Sequence, residues 1–183
     1  LSLLGQYISF ETVVPETKRA CLRWIETAFL GDCGLSVEHG DVRGAPWIHV
    51  RHPSPELLWF AHADVVPGRP DQFTVRVEGD NAYGRGVKDM KGAGLAFLIA
   101  YRDVTRAGKV PKVSVLFSTD EETGGATPPE LLSQGKFDDV PVAYTPDTGA
   151  HPFIVTELKG AAWARLIAFL IVFAIAGVGT RYA

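Results

Sequence analysis

The amino-acid sequence predicts an α/β fold, a three-layer α/β/α sandwich around a mixed, mostly parallel central sheet. Three observations point there. Strand-like and helix-like segments alternate along the chain, the pattern of βαβ architecture. The runs Glu56–Ala61 and Lys112–Ser118 are strongly apolar, as strands covered on both faces are. The segment Val87–Tyr101 is a Gly/Ala-rich helix, small enough on one side to lie tightly on a sheet. A chain of 183 residues that is 46% hydrophobic can bury one substantial core, so one main domain is expected.

Taken in order, Leu1–Ser9 carries apolar residues at 1, 4 and 8 and reads as a short amphipathic helix. Glu16–Leu30 is a second helix, with Pro15 before it and Gly31 as its stop signal. Leu35–Glu38 and Trp47–Arg51 read as strands separated by a Gly/Asp-rich turn. Glu56–Ala61 is a strand that empties into His62. Phe73–Glu78 alternates like an edge strand, followed by the turn EGDN. After the 87–101 helix come the strand Lys112–Ser118, an exit loop Asp120–Gly125, a short helix Pro128–Gln134 and a further core strand Val140–Tyr144. Leu166–Val178 is a run of thirteen residues without a polar side chain. A bilayer span needs about 20 apolar residues, so this run reads as buried core and a membrane partner is not expected.

Composition narrows the function. A net charge of −3, with Lys and Arg dispersed, leaves no electrostatic footprint for nucleic acid. Cys21 and Cys33 make neither a disulfide framework nor a paired-thiol metal site, and read as buried free thiols in a reducing cytoplasm. The opening LSLLGQYISFET lacks the basic and long apolar regions of a secretory signal. There is no internal repeat or low-complexity tract.

Four clusters then carry the chemistry: LLWFAHADVV (57–66), YGRGVKDMKG (83–92), VSVLFSTDEETGG (113–125) and PVAYTPDTGA (141–150). Each sets His, Asp or Glu at the end of an apolar run or in a loop entering a helix. In an open α/β sheet the carboxyl ends of the strands share one rim, where ligands bind. His62, Asp64, Asp89, Glu121, Glu122 and Asp147 can therefore meet although 86 positions span them. An imidazole among carboxylates suits a dication such as zinc. His62 and Asp64 lie two residues apart, which in extended chain puts both on one face, with the carboxylate able to fix the ring's tautomer. Asp89 alone is also explained as a charge complementing a helix N-terminus, and Asp147 in TPDTG as turn chemistry. Glu121-Glu122 gains nothing structurally from adjacency; one glutamate as ligand and one as general base is a division of labour that metallohydrolases use.

These motifs, HAD after an apolar strand, YGRGVKDMKG, DEETGG and PD, resemble the ArgE/DapE-type zinc metallopeptidase and deacylase family across roughly positions 1–165. Acetylornithine deacetylase, succinyl-diaminopimelate desuccinylase, aminoacylase and glutamate carboxypeptidase belong to it. The resemblance implies two zinc ions, with cobalt as a possible substitute: His62 and Asp147 on one, Glu122 on the other, and Asp89 bridging. It makes Asp64 the residue that steers His62, and Glu121 the base that deprotonates a water attacking an amide. It implies a small N-acylated amino acid or short peptide as substrate, and a cis peptide at Asp89–Met90.

Family members are about twice this long as a rule. They insert a lid or dimerisation domain after a strand like GAAWARLIA (160–168), then return with a final metal-ligand histidine. The expectation is therefore a single truncated catalytic domain over 1–183, without the lid through which a longer parent would form a homodimer. His151 is the only imidazole downstream of Asp147. The competing reading is a truncated homologue that folds, binds at most one metal and turns over no substrate.

Overall fold

The computed structural model describes residues 2–147. The expected strand at 160–168, the apolar run 166–178 and His151 lie outside the described residues.

Helix α1 (Leu3–Ser9) starts where the Ser2 hydroxyl accepts the Gly5 N–H at 3.1 Å, and it buries Tyr7 and Ile8. Helix α2 (Pro15–Ile25) opens on a proline, whose missing N–H costs nothing there, and buries Cys21, Leu22 and Ile25 along one stripe. It runs into a wider π-type turn, Glu26–Leu30, closed by the Gly31 N–H on the Glu26 carbonyl at 2.7 Å. The helix expected over 16–30 is therefore present with its last turn loosened.

Strands β1 (Val37–Val42) and β2 (Ala45–Val50) form a hairpin over the two residues Arg43 and Gly44. Both have positive φ, 53° and 87°, the geometry whose twist matches paired strands. Asp41 holds the turn by accepting the Gly44 N–H at 2.6 Å. Strand β3 (Leu57–His62) follows, then a separate ribbon of β4 (Arg76–Glu78) and β5 (Asn81–Tyr83), helix α3 (Gly92–Arg106), strand β6 (Val113–Ser118), helix α4 (Thr127–Ser133) and strand β7 (Ala143–Tyr144).

The five-stranded sheet has the order β1-β2-β6-β3-β7. The β1 to β2 and β2 to β6 pairings are antiparallel, while β6 to β3 and β3 to β7 are parallel. The mixed sheet is as expected, with its parallel part confined to β6, β3 and β7. Those three strands end on one rim, His62 standing opposite Ser118 in register.

Period-two alternation splits the sheet between two cores. Ile48, Val50, Trp59, Ala61, Val115 and Phe117 face α1, α2 and α3. Trp47, Leu58 and Leu116 face Leu131 of α4 and Phe137. Helices thus cover both faces, and this makes the third layer. Trp59 stacks on Phe97 of α3 with centroids 3.8 Å apart and planes 4° from parallel, fixing α3 over β3.

Three expectations need correction. The strand at Phe73–Glu78 shrinks to Arg76–Glu78 and belongs to the small ribbon, because Phe73 closes a short helical turn, Pro70–Phe73, and is buried. Among the described residues the segment 140–144 pairs only through Ala143 and Tyr144, both exposed, so within them it stands at the sheet edge rather than in the core. Helix α3 begins at Gly92, five residues later than expected, because the 86–90 backbone leaves helical geometry at Asp89 and Met90.

One buried titratable group lies away from the rim. His49 of β2 is 2% exposed, packs edge-on against Phe137, and has its Nε2 without a partner among the described residues. Burial, more than the opposing pull of Glu38, lowers its pKa to about 4. The unfolded chain takes up this proton below about pH 6.5 and the folded chain does not. Its stability contribution is thus full above 6.5 and lost as pH falls to 4, by at most about 3 kcal/mol. The urea midpoint of His49→Gln is expected to fall less steeply than wild type between pH 6.5 and 4; parallel curves would show that His49 stays neutral for no energetic reason.

Candidate metal centre

Strand β3 carries the chain to His62, whose side chain is 2% exposed. Beyond it the Ala63 N–H still donates to Ser118 at 2.9 Å, and the Thr12 hydroxyl donates to the Ala63 carbonyl at 2.6 Å. The 62–64 backbone is therefore pinned from both sides. His62 Nδ1 lies 3.1 Å from the Asp64 carbonyl and 3.4 Å from Asp64 Oδ1. With Nδ1 engaged, Nε2 is the nitrogen that faces the rim, the arrangement a ligating imidazole requires.

Three carboxylates gather on that nitrogen. Asp89 Oδ1 is 3.1 Å from Nε2, Glu121 Oε2 is 3.9 Å away and Asp147 Oδ2 is 4.0 Å away. Ligand atoms of His62, Asp89 and Asp147 all lie within 4.8 Å of one another. Glu122 points elsewhere, accepting the Val66 N–H at 3.3 Å. Asp64, 2% exposed, accepts the Glu121 N–H at 3.3 Å and the Glu122 N–H at 3.0 Å. A buried carboxylate therefore fixes the imidazole on one side and the backbone of both glutamates on the other.

The Asp89 turn has its own supports. Gly86 sits at φ 79°, and a Cβ there would meet Val65 at 2.8 Å, so only glycine fits. The Asp89–Met90 peptide is cis, as the resemblance implied. Met90 is buried, and its sulfur accepts the His62 N–H at 3.3 Å. Lys91 is fully buried, its ammonium donating to the carbonyls of Tyr7 at 3.3 Å and Phe10 at 2.7 Å at the end of α1. Helix C-termini present such carbonyls without partners and with a negative dipole end, so a cation fits there. Sequence reading missed this anchor, since a lysine entering a helix carries no signal of burial.

The 120–125 segment exits β6 as a short turn, Glu121–Thr123, ended by Gly124 and Gly125 at φ 115° and 60°. Asp120 is buried and accepts the Thr127 N–H at 2.7 Å, capping α4 and tying the loop to the helix.

Electrostatics follow the geometry. Burial alone would lower the His62 pKa, but the Asp64 carboxylate beside it, with Glu121 and Asp147, outweighs burial and lifts it to about 9. Burial, then the like charges of Asp147, Glu122 and Asp64, raises Glu121 despite His62. Burial and Asp89 likewise raise Glu122. Crowded carboxylates around one imidazole resist ionising together, and a dication would relieve them. An N/O donor set of one histidine and two aspartates fits zinc or a similar ion.

Comparison with known proteins gives the family and the fold. Residues 58–155 match the model of peptidase family M20/M25/M40, and the chain belongs to that family. It is 31% identical over 133 residues to the succinyl-diaminopimelate desuccinylase of Stenotrophomonas maltophilia, covering 67% of this chain and 35% of that protein. The Xylella fastidiosa enzyme of the same name is 35% identical over 126 residues, 63% of this chain and 33% of the relative. Among solved structures, human carnosine dipeptidase 1 aligns with a TM-score of 0.62 at 20% identity, over 79% of this chain and 37% of that one. A metallo-carboxypeptidase from Sulfolobus solfataricus gives 0.58 at 19%, over 76% and 36%. Both structures share the fold. The chain spans about a third of the length of the curated relatives it matches.

If Asp64 organises the centre, Asp64→Ala should weaken zinc binding by about 10–100-fold, the usual cost of losing the group that orients a ligand. Competition with a chelating dye measures this. Unchanged affinity in a folded variant would show that His62 needs no such partner.

Proposed function

We propose that this member of the M20/M25/M40 peptidase family is a metal-dependent hydrolase of amide bonds, acting on small N-acylated amino acids or short peptides. The observation that carries the reading is the convergence of Asp89, Glu121 and Asp147 on one nitrogen of a buried histidine. His62, Asp89 and Asp147 would hold zinc, and Glu122, close enough to Asp89 to raise its own pKa, would hold a second ion. Bound zinc there supplies Lewis acidity toward the amide carbonyl and toward the attacking water.

The chain's own residues do the rest. Asp64 keeps the His62 proton on Nδ1, leaving the Nε2 lone pair toward the rim. Glu121, partly exposed and held at its backbone by Asp64, takes the water's proton and returns it to the leaving amine. Its raised pKa strengthens it as a base and moves it toward the operating pH, where one carboxyl group can both take and return a proton. The products are a carboxylate and a free amine. The relatives named as succinyl-diaminopimelate desuccinylases support deacylation, and the dipeptidase and carboxypeptidase among the structural neighbours support peptide cleavage. Among the described residues no helix is long and apolar enough to cross a membrane. The free, buried Cys21 and Cys33 support a reducing, cytoplasmic setting.

A second reading is favoured by one observation: the tight donor group contains His62, Asp89 and Asp147 but not Glu122. Such a site holds one ion, and a protein that binds one zinc without turnover is the outcome it supports. Zinc stoichiometry separates the two, two ions per chain with amide hydrolysis supporting the first.

In the hydrolase reading, Glu121→Gln should lower turnover by about 10²–10⁴-fold while zinc binding is kept. Glu122→Gln should instead weaken zinc binding. Equal zinc loss in both variants, read by metal analysis after dialysis, would reverse the roles of the two glutamates.

A further inference from the structure

Successive residues of a strand direct their backbone N–H groups to opposite sides. In β3 and just beyond it, the Ala63 N–H donates to Ser118 at the end of β6, and the Leu58 N–H donates to Val142 on the β7 side, each at 2.9 Å. His62 shares the alternation of Leu58, so its N–H also faces the β7 side. Among the described residues β7 pairs with β3 only at Leu58 and Trp59, well short of His62. No strand carbonyl meets that N–H among the described residues. Its acceptor is the sulfur of Met90, at 3.3 Å. His62 is 3% exposed and Met90 1%, so the bond is closed to solvent.

A buried methionine is ordinarily a gap-filler that bends into whatever space its neighbours leave. Met90 is fixed from both sides instead. Asp89, before it, has its Oδ1 3.1 Å from His62 Nε2. Lys91, after it, is fully buried and donates to the carbonyls of Tyr7 and Phe10. Two adjacent residues therefore grip His62 at its two ends, Asp89 at the ring and Met90 at the backbone, while the third ties them to the end of α1. Such a two-point grip leaves little freedom in the separation of ring and carboxylate.

We propose that Met90 is a positioning residue of this centre: its sulfur, by holding the His62 N–H, sets the placement of His62 against Asp89 before any ion arrives. The inference rests on the metal-binding reading and adds to it a side chain that touches neither ion nor substrate. An apolar side chain of the same shape would fill the space but leave the buried N–H without an acceptor. The end of β3 would then shift toward another partner, and zinc would have to order its two ligands on binding, which lowers affinity.

Met90 is the one methionine of this sequence, so growth on norleucine, which puts a methylene where the sulfur stands, changes this side chain alone among the described residues. The zinc-free norleucine protein is expected to show faster hydrogen exchange at the His62 amide and a displaced 15N resonance of His62 Nε2. Its zinc affinity should fall about three- to tenfold, the size of one neutral hydrogen bond. Met90→Leu should behave alike, and selenomethionine, whose selenium also accepts, should restore wild-type values. A merely packing role predicts a change in melting temperature with the His62 resonances and zinc affinity unmoved, and that result would overturn the proposal. If no form binds zinc yet the zinc-free His62 signals still separate norleucine from selenomethionine, the metal reading fails and the positioning of His62 by Met90 stands.

Discussion

The carboxylate of Asp64 is the joint on which the candidate centre depends. It is 2% exposed, and a charge so placed is tolerated only when its oxygens are occupied. Here they accept the backbone N–H groups of Glu121 and Glu122, and Oδ1 also faces His62 Nδ1. One buried charge thus couples the end of β3 to the end of β6. Were it removed, two N–H donors and an imidazole would lose their partner together, which is the costly form of loss.

Around that joint the supports come from far along the chain. Lys91 reaches back to the end of α1, Thr12 holds the Ala63 carbonyl, and Met90 receives the His62 N–H. The stacked Trp59 and Phe97 fix α3, and hence the turn that delivers Asp89, against β3. A metal site needs its ligands held to roughly half an ångström. Packing of this kind, rather than the ligands themselves, sets such precision.

Much of this was legible in the sequence. Apolar runs ending in His62 and before Asp120 read directly as buried strands, because a strand buried on both faces must be apolar at every position. Parallel pairing of β6, β3 and β7 then put His62, Glu121 and Asp147 on one rim, as the α/β rule required. Less legible were features set by tertiary contact. The loosened helix at 26–30 and the delayed start of α3 at Gly92 break no local propensity that the sequence displays. Lys91 looks like a surface lysine, and Arg85 like an ordinary loop arginine; only the fold shows one buried against carbonyls and the other lining a cleft. The edge position of Ala143–Tyr144 among the described residues was equally hidden, since a short apolar strand reads the same at the edge as in the centre.

The convergence of His62, Asp89 and Asp147 is the central claim, and anomalous diffraction at the zinc edge from zinc-soaked crystals tests it most directly. The expected result is a peak within coordination distance of His62 Nε2 and of one carboxylate oxygen each from Asp89 and Asp147, about 2.0–2.2 Å for such ligands. A peak elsewhere on the protein, with His62 still paired to Asp89 alone, would contradict it.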